Sequence, residues 1–187
     1  MLLTACDEFG PTALDIRAEL GDAIQTRIEC AGPLVWLSID AELALQRALD
    51  RVLGTARTRE FVLAKAREFL ATSVVQTAVS TAVSLFGLTP GSLARLVPPA
   101  WGLLYRDCGQ WSVSRGFEPD RTRAREWREV EMHLAELPGP CAREDAWLGA
   151  VATVLHALLL LSEREGEVGV LERHPAKVVF RLAWKRK

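Results

Sequence analysis

The sequence predicts an α+β fold in which N-terminal helices pack, together with a long C-terminal helix, on an antiparallel sheet of about four strands. Three observations lead to this prediction. Apolar residues recur at helical spacing through residues 12–108. Several short stretches after residue 109 alternate apolar and polar residues, as half-buried strands do. Between these stretches, Ala146–Leu161 is apolar over more than half of its circumference, which is typical of a buried helix.

Length and composition are those of an ordinary globular protein. The hydrophobic fraction is 49% and the charged fraction is 25%. The net charge is −1, so the chain lacks the excess of basic residues that is typical of a nucleic-acid-binding protein. The 187 residues are enough for one domain with a substantial core, which we expect to comprise a loose lead-in at 1–11, a mainly helical half at 12–108, and a sheet with a long helix at 109–187.

The N-terminus resembles one export signal but lacks its essential parts. Leu3-Thr4-Ala5-Cys6 is similar to the cleavage box of a bacterial lipoprotein, yet no basic region and no apolar region precede it. The most apolar run, Ala146–Leu161, carries His156 and is flanked by charged residues, so we expect no membrane span. We therefore predict a cytoplasmic protein.

Helical spacing begins early in the chain. Thr12–Ile28 predicts a helix that is interrupted near Gly21. Asp40 has a side chain suited to an N-cap, apolar residues follow it at helical spacing, and Gly54 ends this second helix. A third helix is predicted to begin at about Thr58.

The middle of the chain predicts three more helices. Val74–Phe86 has apolar residues at a period near four and many small residues, which favours a buried helix that neighbours approach closely. Thr89-Pro90 is a typical helix start, with a capping hydroxyl before a proline at the first helical position. Pro98-Pro99 is expected to break that helix. A short helix at Ala100–Asp107 is then predicted to follow.

The last third predicts the sheet. The pattern alternates over Gln110–Arg115 and Glu126–Leu134, with a charged loop, Phe117–Arg125, between them. Glu144 or Asp145 begins the long helix, where its charge is favourable. We predict that this helix ends at Glu165-Gly166. The elements predicted after it are a strand through Val168–Glu172, a turn at His174-Pro175, and a strand through Val178–Trp184.

Four short stretches carry a resemblance to known proteins. They are Leu-Val-Pro-Pro-Ala-Trp (96–101), Leu-Leu-Tyr-Arg-Asp-Cys-Gly (103–109), Trp-Leu-Gly-Ala-Val (147–151) and Phe-Arg-Leu-Ala-Trp (180–184). In this order the chain resembles the Myxococcales-restricted domain family of unknown function. It is more distantly similar, over roughly residues 40–185, to the superfamily of haem-nitric-oxide-binding (H-NOX) domains, 4-vinyl-reductase-type ligand-binding domains and TRAPP subunits. The resemblance implies a space between helices and sheet that holds a small ligand or is filled by side chains, and an outer surface used for pairing.

Haem is the first cofactor that this resemblance brings into consideration. An H-NOX-like haem site needs an axial histidine and a Tyr-x-Ser-x-Arg motif. Tyr105 is the single tyrosine, and the residues that follow it do not match. We expect His133 to face solvent and His174 to lie in a turn. His156 is then the one histidine placed to be a buried ligand, and its ordinary role is a hydrogen-bonded residue of the core or its boundary. We therefore predict no haem and no other cofactor.

The sequence also lacks convergent catalytic motifs. It has no His-Glu-x-x-His, no Gly-x-Ser-x-Gly and no phosphate-binding glycine-rich loop. We predict neither catalytic residues nor metal ligands, and therefore no enzyme. The cysteines lack the paired spacing of a zinc site and are predicted to be reduced thiols: Cys6, Cys30, Cys108 and Cys141.

The leading hypothesis is a non-enzymatic regulatory or protein-interaction domain, with a protein partner or a second copy bound through apolar helices such as Val74–Phe86. The alternatives are a sensor that binds a small apolar ligand between helices and sheet, and a haem protein or enzyme that uses His156. The charged loop Phe117–Arg125 is either a solvated connection or a contact for an anionic partner. The residues predicted to line any cavity are Trp101, Tyr105, Trp147, Leu155 and His156.

Overall fold

The computed structural model describes residues 6–30, 38–72, 76–77, 80, 89–114 and 126–186. The elements follow the predicted order, which confirms the α+β fold with helices on a four-stranded antiparallel sheet. After a 3-10 turn at Cys6–Phe9 come α1 (Thr12–Leu20), α2 (Asp22–Glu29), α3 (Ile39–Leu53), α4 (Thr55–Leu70), α5 (Pro90–Ala94), α6 (Val97–Leu104), β1 (Gln110–Val113), β2 (Trp127–Ala135), a 3-10 turn at Cys141–Arg143, α7 (Asp145–Leu161), β3 (Gly166–His174) and β4 (Lys177–Lys185).

Glycines lie at two of the junctions among the first four helices. Gly21, with φ of +72°, lies between α1 and α2, and Gly54, with φ of +78°, lies between α3 and α4. Positive φ is costly for a residue that has a Cβ, so glycine is suited to both positions. The predicted interruption near Gly21 is confirmed. α4 begins at Thr55 rather than at Thr58, because Gly54 ends one helix and directly precedes the next.

The predicted caps have different outcomes. Ser38, and not Asp40, occupies the N-cap position of α3. Asp40 instead lies in the first turn, where a carboxylate is stabilised by the positive end of the helix. For α5 the prediction is confirmed, because the Thr89 side-chain oxygen accepts a hydrogen bond from the Ser92 backbone N–H at 3.1 Å, with Pro90 at the first helical position.

The predicted break between two helices is present, but it lies at Arg95 and Leu96 and not at Pro98-Pro99. Both prolines lie in the first turn of α6, which begins at Val97. The first N–H groups of a helix have no partner within it, so prolines there remove no helical hydrogen bond. The prediction also placed the end of this helix at Asp107, whereas α6 ends at Leu104.

Two predicted segments fall wholly or largely outside the described residues. Of the predicted helix Val74–Phe86, the structure describes Gln76, Thr77 and Ser80, all three with helical backbone. The charged loop Phe117–Arg125 lies entirely outside the described ranges.

The sheet has the order β1-β2-β4-β3, and neighbouring strands are antiparallel. β2 alternates as predicted, with Val130, Met132 and Leu134 buried. β4 departs from the predicted alternation, because Val179 and Ala183 are also buried although they point to the other face. β4 is an inner strand, so Val179 lies between His133 and Glu172, and Ala183 lies between Glu129 and Glu167.

α7 lies between the sheet and the N-terminal helices. One side of it buries Trp147, Leu148, Leu155 and Leu159 in a cluster that contains the inward residues of the sheet. Ala150 belongs instead to the cluster formed with α1, α3 and α4. Burial on both sides explains why this helix is apolar over so much of its circumference. Among the described residues, no helix combines the length and the apolarity that a membrane crossing requires.

Candidate functional site

A carboxylate of α3 ties the two halves of the chain together. Glu42 lies in the first turn of α3, and its Oε1 accepts a hydrogen bond from the Tyr105 hydroxyl at 2.8 Å. The same oxygen accepts a second hydrogen bond from Trp147 Nε1 at 3.1 Å. These partners are 63 and 105 residues away in the sequence. One carboxylate therefore positions the segment after α6 and the start of α7 together.

Aromatic rings pack around this carboxylate. Trp101 stacks on Tyr105 with ring centroids 3.9 Å apart. The Trp101 ring also makes edge-to-face contacts with Trp111, at a centroid distance of 5.6 Å, and with Trp147, at 6.3 Å. Trp111 in turn lies 5.4 Å from Phe180. Such pairs contribute about 0.5–1.5 kcal/mol each beyond the area they bury. We call Glu42, Trp101, Tyr105, Trp111 and Trp147 the aromatic cluster.

The indole N–H groups of the aromatic cluster are largely satisfied within the protein. Trp101 Nε1 donates to the Cys108 backbone carbonyl at 3.0 Å, and Trp147 Nε1 donates to Glu42. Trp111 Nε1 is buried and has no acceptor among the described residues. Hydrogen bonds and ring contacts together fix the orientation of Trp101 and Trp147, so the cluster is a rigid arrangement.

Burial dominates the electrostatics of the cluster. It raises the pKa of Glu42, while the hydrogen bonds from Tyr105 and Trp147 act in the opposite direction and only partly offset it. Burial also raises the pKa of Tyr105 well above its ordinary value, and the negative charge of Glu42 adds to this effect. Tyr105 is therefore a neutral hydrogen-bond donor at physiological pH and not a base.

Two buried thiols lie beside the cluster. Cys108 and Cys141 are both free and buried. The hydrogen bond between the two thiols raises the pKa of Cys108 and lowers that of Cys141, whereas burial acts to raise both. Cys108 is therefore a neutral thiol at neutral pH and not a nucleophile. Cys30 is the exposed free thiol, and Cys6 is buried with its pKa raised to about 11, mainly by burial.

The structure places the predicted cavity residues in two different environments. Trp101, Tyr105 and Trp147 come together in the aromatic cluster. Leu155 is 2% exposed and belongs to the same hydrophobic core against the sheet. His156 is partly buried on another side of α7, where burial lowers its pKa and the positive charges of Arg59 and Arg67 on α4 lower it further. The lining of one common cavity by all five remains a prediction.

The three histidines lie in different parts of the fold. Side chains of the aromatic cluster and of β4 pack in the main hydrophobic core between helices and sheet. His156 lies near the arginines of α4 instead. His133 pairs with Glu131 at 3.3 Å on the sheet face away from the helices, as predicted. The side chain of His174 is 58% exposed at the end of β3.

Sequence reasoning missed Glu42, the residue at the centre of the cluster. Glu42 lies in the first turn of a helix, where acidic residues are common because the positive end of the helix stabilises them. The one sequence feature that pointed to a buried acceptor was the number of tryptophans, since buried indole N–H groups need partners. That requirement does not say which acceptor they find, because Glu42 reaches its partners through tertiary packing. In the described part of the chain, no group of three or more His, Cys, Asp or Glu residues is arranged to hold a metal ion.

Comparisons with known proteins agree on the fold. The chain is similar to an oxygen-binding H-NOX domain related to soluble guanylate cyclases, solved as its oxygen complex, with a TM-score of 0.56 and 11% identity over 98% of this chain and 91% of that one. It is also similar to the Fe(II) unliganded H-NOX protein from K. algicida, with a TM-score of 0.56 and 10% identity over 100% and 95% of the two chains. A point mutant of the T. Tengcongensis H-NOX gives a TM-score of 0.55 and 11% identity over 98% and 93%.

Sequence comparisons add no family. The chain matches no protein-family model and no curated protein. The identity to the solved structures is 9–11%. The conclusion that sequence, geometry and comparisons support together is therefore one of architecture: this chain has an H-NOX-like fold.

Proposed function

We propose that this chain is a non-enzymatic regulatory or protein-interaction domain of the cytoplasm, built on an H-NOX-like fold whose interior is a permanent core. The observation that carries the proposal is the pair of hydrogen bonds from Tyr105 and Trp147 to Glu42 within the aromatic cluster. A ligand entering between helices and sheet has to separate these groups. Each buried donor left without a partner costs about 1–3 kcal/mol.

The outer face of the sheet supports an interaction role. It carries ion pairs at the surface, His133 with Glu131 at 3.3 Å and Arg181 with Glu167 at 3.3 Å. These side chains point away from α7, and those of Arg181 and Glu167 are 35% and 47% exposed. A polar face of this kind resembles the surface of a transient interface. We propose that a protein partner or a second copy of the chain binds to this face of the sheet.

The similarity to the Myxococcales-restricted domain family remains part of this proposal. Two of the stretches that carry it, 147–151 and 180–184, lie in α7 and β4. Both elements are in the main hydrophobic core. The stretches therefore indicate shared packing more strongly than a shared chemical site.

Haem sensing is the second candidate, and the fold likeness favours it. The similar structures include an H-NOX domain solved as an oxygen complex. The position of His156 opposes this candidate, because Arg59 and Arg67 of α4 lie near it and it is apart from the aromatic cluster. A sensor of small apolar ligands needs a cavity where Trp101 and Trp147 now pack, so the same experiment tests both.

The experiment is a titration of the purified chain with hemin, and separately with indole, followed by absorption and by thermal unfolding. We expect no saturable Soret band and no stabilisation by indole. Trp101→Ala is the matched variant, because an apolar cavity created in a core binds a small aromatic molecule. We expect indole to stabilise this variant alone.

Two results would overturn the proposal. One is a Soret band that saturates at one haem per chain and is lost in His156→Ala. The other is stabilisation of the unaltered chain by indole, since it would show that the interior already has room for a ligand. Circular dichroism of both variants checks that each one folds.

A further inference from the structure

A pocket of about 390 Å³ lies at one corner of the molecule, away from the aromatic cluster. It is bounded by α5, by the end of β4 and by the segment that follows α7. Small-molecule sites in proteins begin at about 300 Å³, so its volume is sufficient for one small ligand. Its principal lining residues are Ser92, Arg95, Arg128, Arg164, Trp184 and Arg186.

The fold brings these residues together from distant parts of the sequence. Arg128 on β2 is the cross-strand partner of Trp184 on β4, so both point to the helical side of the sheet. Arg186 follows the end of β4, and its backbone N–H donates to the Glu126 carbonyl at 2.7 Å. Arg164 follows the end of α7. Trp184 also lines the pocket, and its ring lies close to Gly91 on α5.

The pocket concentrates positive charge that the described protein does not neutralise. Within the described ranges, Arg95, Arg128, Arg164 and Arg186 have no carboxylate partner. Lys185, at the same corner, is paired with Glu165 at 2.6 Å and adds no net charge. The chain as a whole has a net charge of −1, so this corner has the opposite polarity to the average surface.

We propose that this pocket binds a small anion that carries two or more phosphate groups. Guanidinium groups present planar pairs of N–H donors that match phosphate oxygens, and they keep their charge at all physiological pH values. Four of them carry more positive charge than a single phosphate can balance. A diphosphate or a larger polyphosphate balances four guanidinium groups and leaves Trp184 to contact an apolar portion of the ligand. This site is independent of the proposed function.

The test measures binding of sodium pyrophosphate by titration calorimetry, with orthophosphate and sulfate as comparison ions. We expect saturable binding of one pyrophosphate per chain, at least tenfold tighter than orthophosphate, that weakens as salt is raised. Removing one arginine, as Arg128→Gln or Arg164→Gln, should weaken binding by about tenfold or more, because each loses charge-assisted hydrogen bonds. Both positions are outside the core, so the melting temperature should not change.

The matched control is Arg173→Gln. Arg173 is also a partly exposed arginine of the sheet, but it pairs with Asp145 and lies opposite Val178, at the other end of β4 from Trp184. We expect it to bind pyrophosphate as the unaltered chain does. Equal loss of binding in Arg173→Gln and Arg128→Gln would overturn the proposal, since it would show a general effect of charge.

A second arm identifies the source of the phosphate groups. Vesicles containing phosphatidylinositol bisphosphate are compared with phosphatidylcholine vesicles in a sedimentation assay. Pyrophosphate binding without vesicle binding supports the site with a soluble ligand, and vesicle binding that Arg128→Gln abolishes supports it with a lipid headgroup. The proposal fails if pyrophosphate binds no tighter than sulfate and neither kind of vesicle is retained.

Discussion

Glu42→Ala is the substitution that should destabilise the protein most specifically. It removes the oxygen that accepts hydrogen bonds from the Tyr105 hydroxyl and from Trp147 Nε1. Two largely buried donors then lose their partner, at about 1–3 kcal/mol each, and we expect the free energy of unfolding to fall by about 2–6 kcal/mol. Glu42→Gln keeps an acceptor oxygen, so its free energy of unfolding should fall by about 1 kcal/mol.

Urea denaturation followed by tryptophan fluorescence measures these losses. Arg47→Ala is the control on the same helix, because its side chain is 48% exposed and pairs with Glu144 at 3.2 Å. An exposed ion pair contributes at most about 1 kcal/mol, so this variant should stay close to the unaltered chain. A Glu42→Ala variant as stable as Arg47→Ala would refute the structural role we give to Glu42.

The dependence of stability on pH provides a second test of Glu42. Its pKa is raised in the folded protein above the ordinary value of 4.5. The folded state therefore holds its proton more tightly than the unfolded state does. As pH rises from about 4.5 through the raised pKa, the free energy of unfolding of the unaltered chain should decrease relative to that of Glu42→Gln. Above the raised pKa, the difference between the two free energies should become constant. A difference that is constant with pH would contradict a raised pKa.

Three further predictions concern other parts of the molecule. Ellman's reagent should react rapidly with one thiol, Cys30, in the folded protein and with all four thiols after denaturation; rapid reaction of Cys108 would show that it is not buried. Gly109→Ala should lower the free energy of unfolding by about 2 kcal/mol or more, because φ is +82° there and a Cβ would lie 2.6 Å from the Ala135 carbonyl oxygen; an unchanged midpoint in urea would contradict that contact. Light scattering over a range of concentrations should detect a dimer if Val74–Phe86 pairs as the sequence suggests, whereas a strict monomer would remove the homodimer and leave a different protein as the partner.

The elements that the sequence predicted well are those that local patterns determine. Alternation in β2 and the start at Thr89-Pro90 depend on neighbours a few residues away, and the structure confirms them. The break between α5 and α6 was predicted at Pro98-Pro99 instead of at Arg95 and Leu96, because prolines break a helix in its interior but are tolerated in its first turn. Local sequence does not distinguish these positions until the helix boundary is known.

The candidate sites depend on contacts that no local pattern contains. Trp101, Tyr105 and Trp147 were predicted, with Leu155 and His156, to line one cavity, because indole nitrogens need partners. The carboxylate that joins two of them is on α3, and the sequence gives no register between α3 and α7. The four arginines of the pocket are similarly isolated in sequence. They meet because α5, the start of β2, the segment after α7 and the end of β4 reach one corner of the fold.

Native mass spectrometry of the purified protein tests the central claim most directly, which is that the space between helices and sheet is occupied by the protein's own side chains. We predict masses of the bare chain or of whole multiples of it, with any small phosphate-bearing adduct abolished by Arg128→Gln. Haem or an apolar molecule retained at one per chain, and unaffected by Arg128→Gln, would contradict the account.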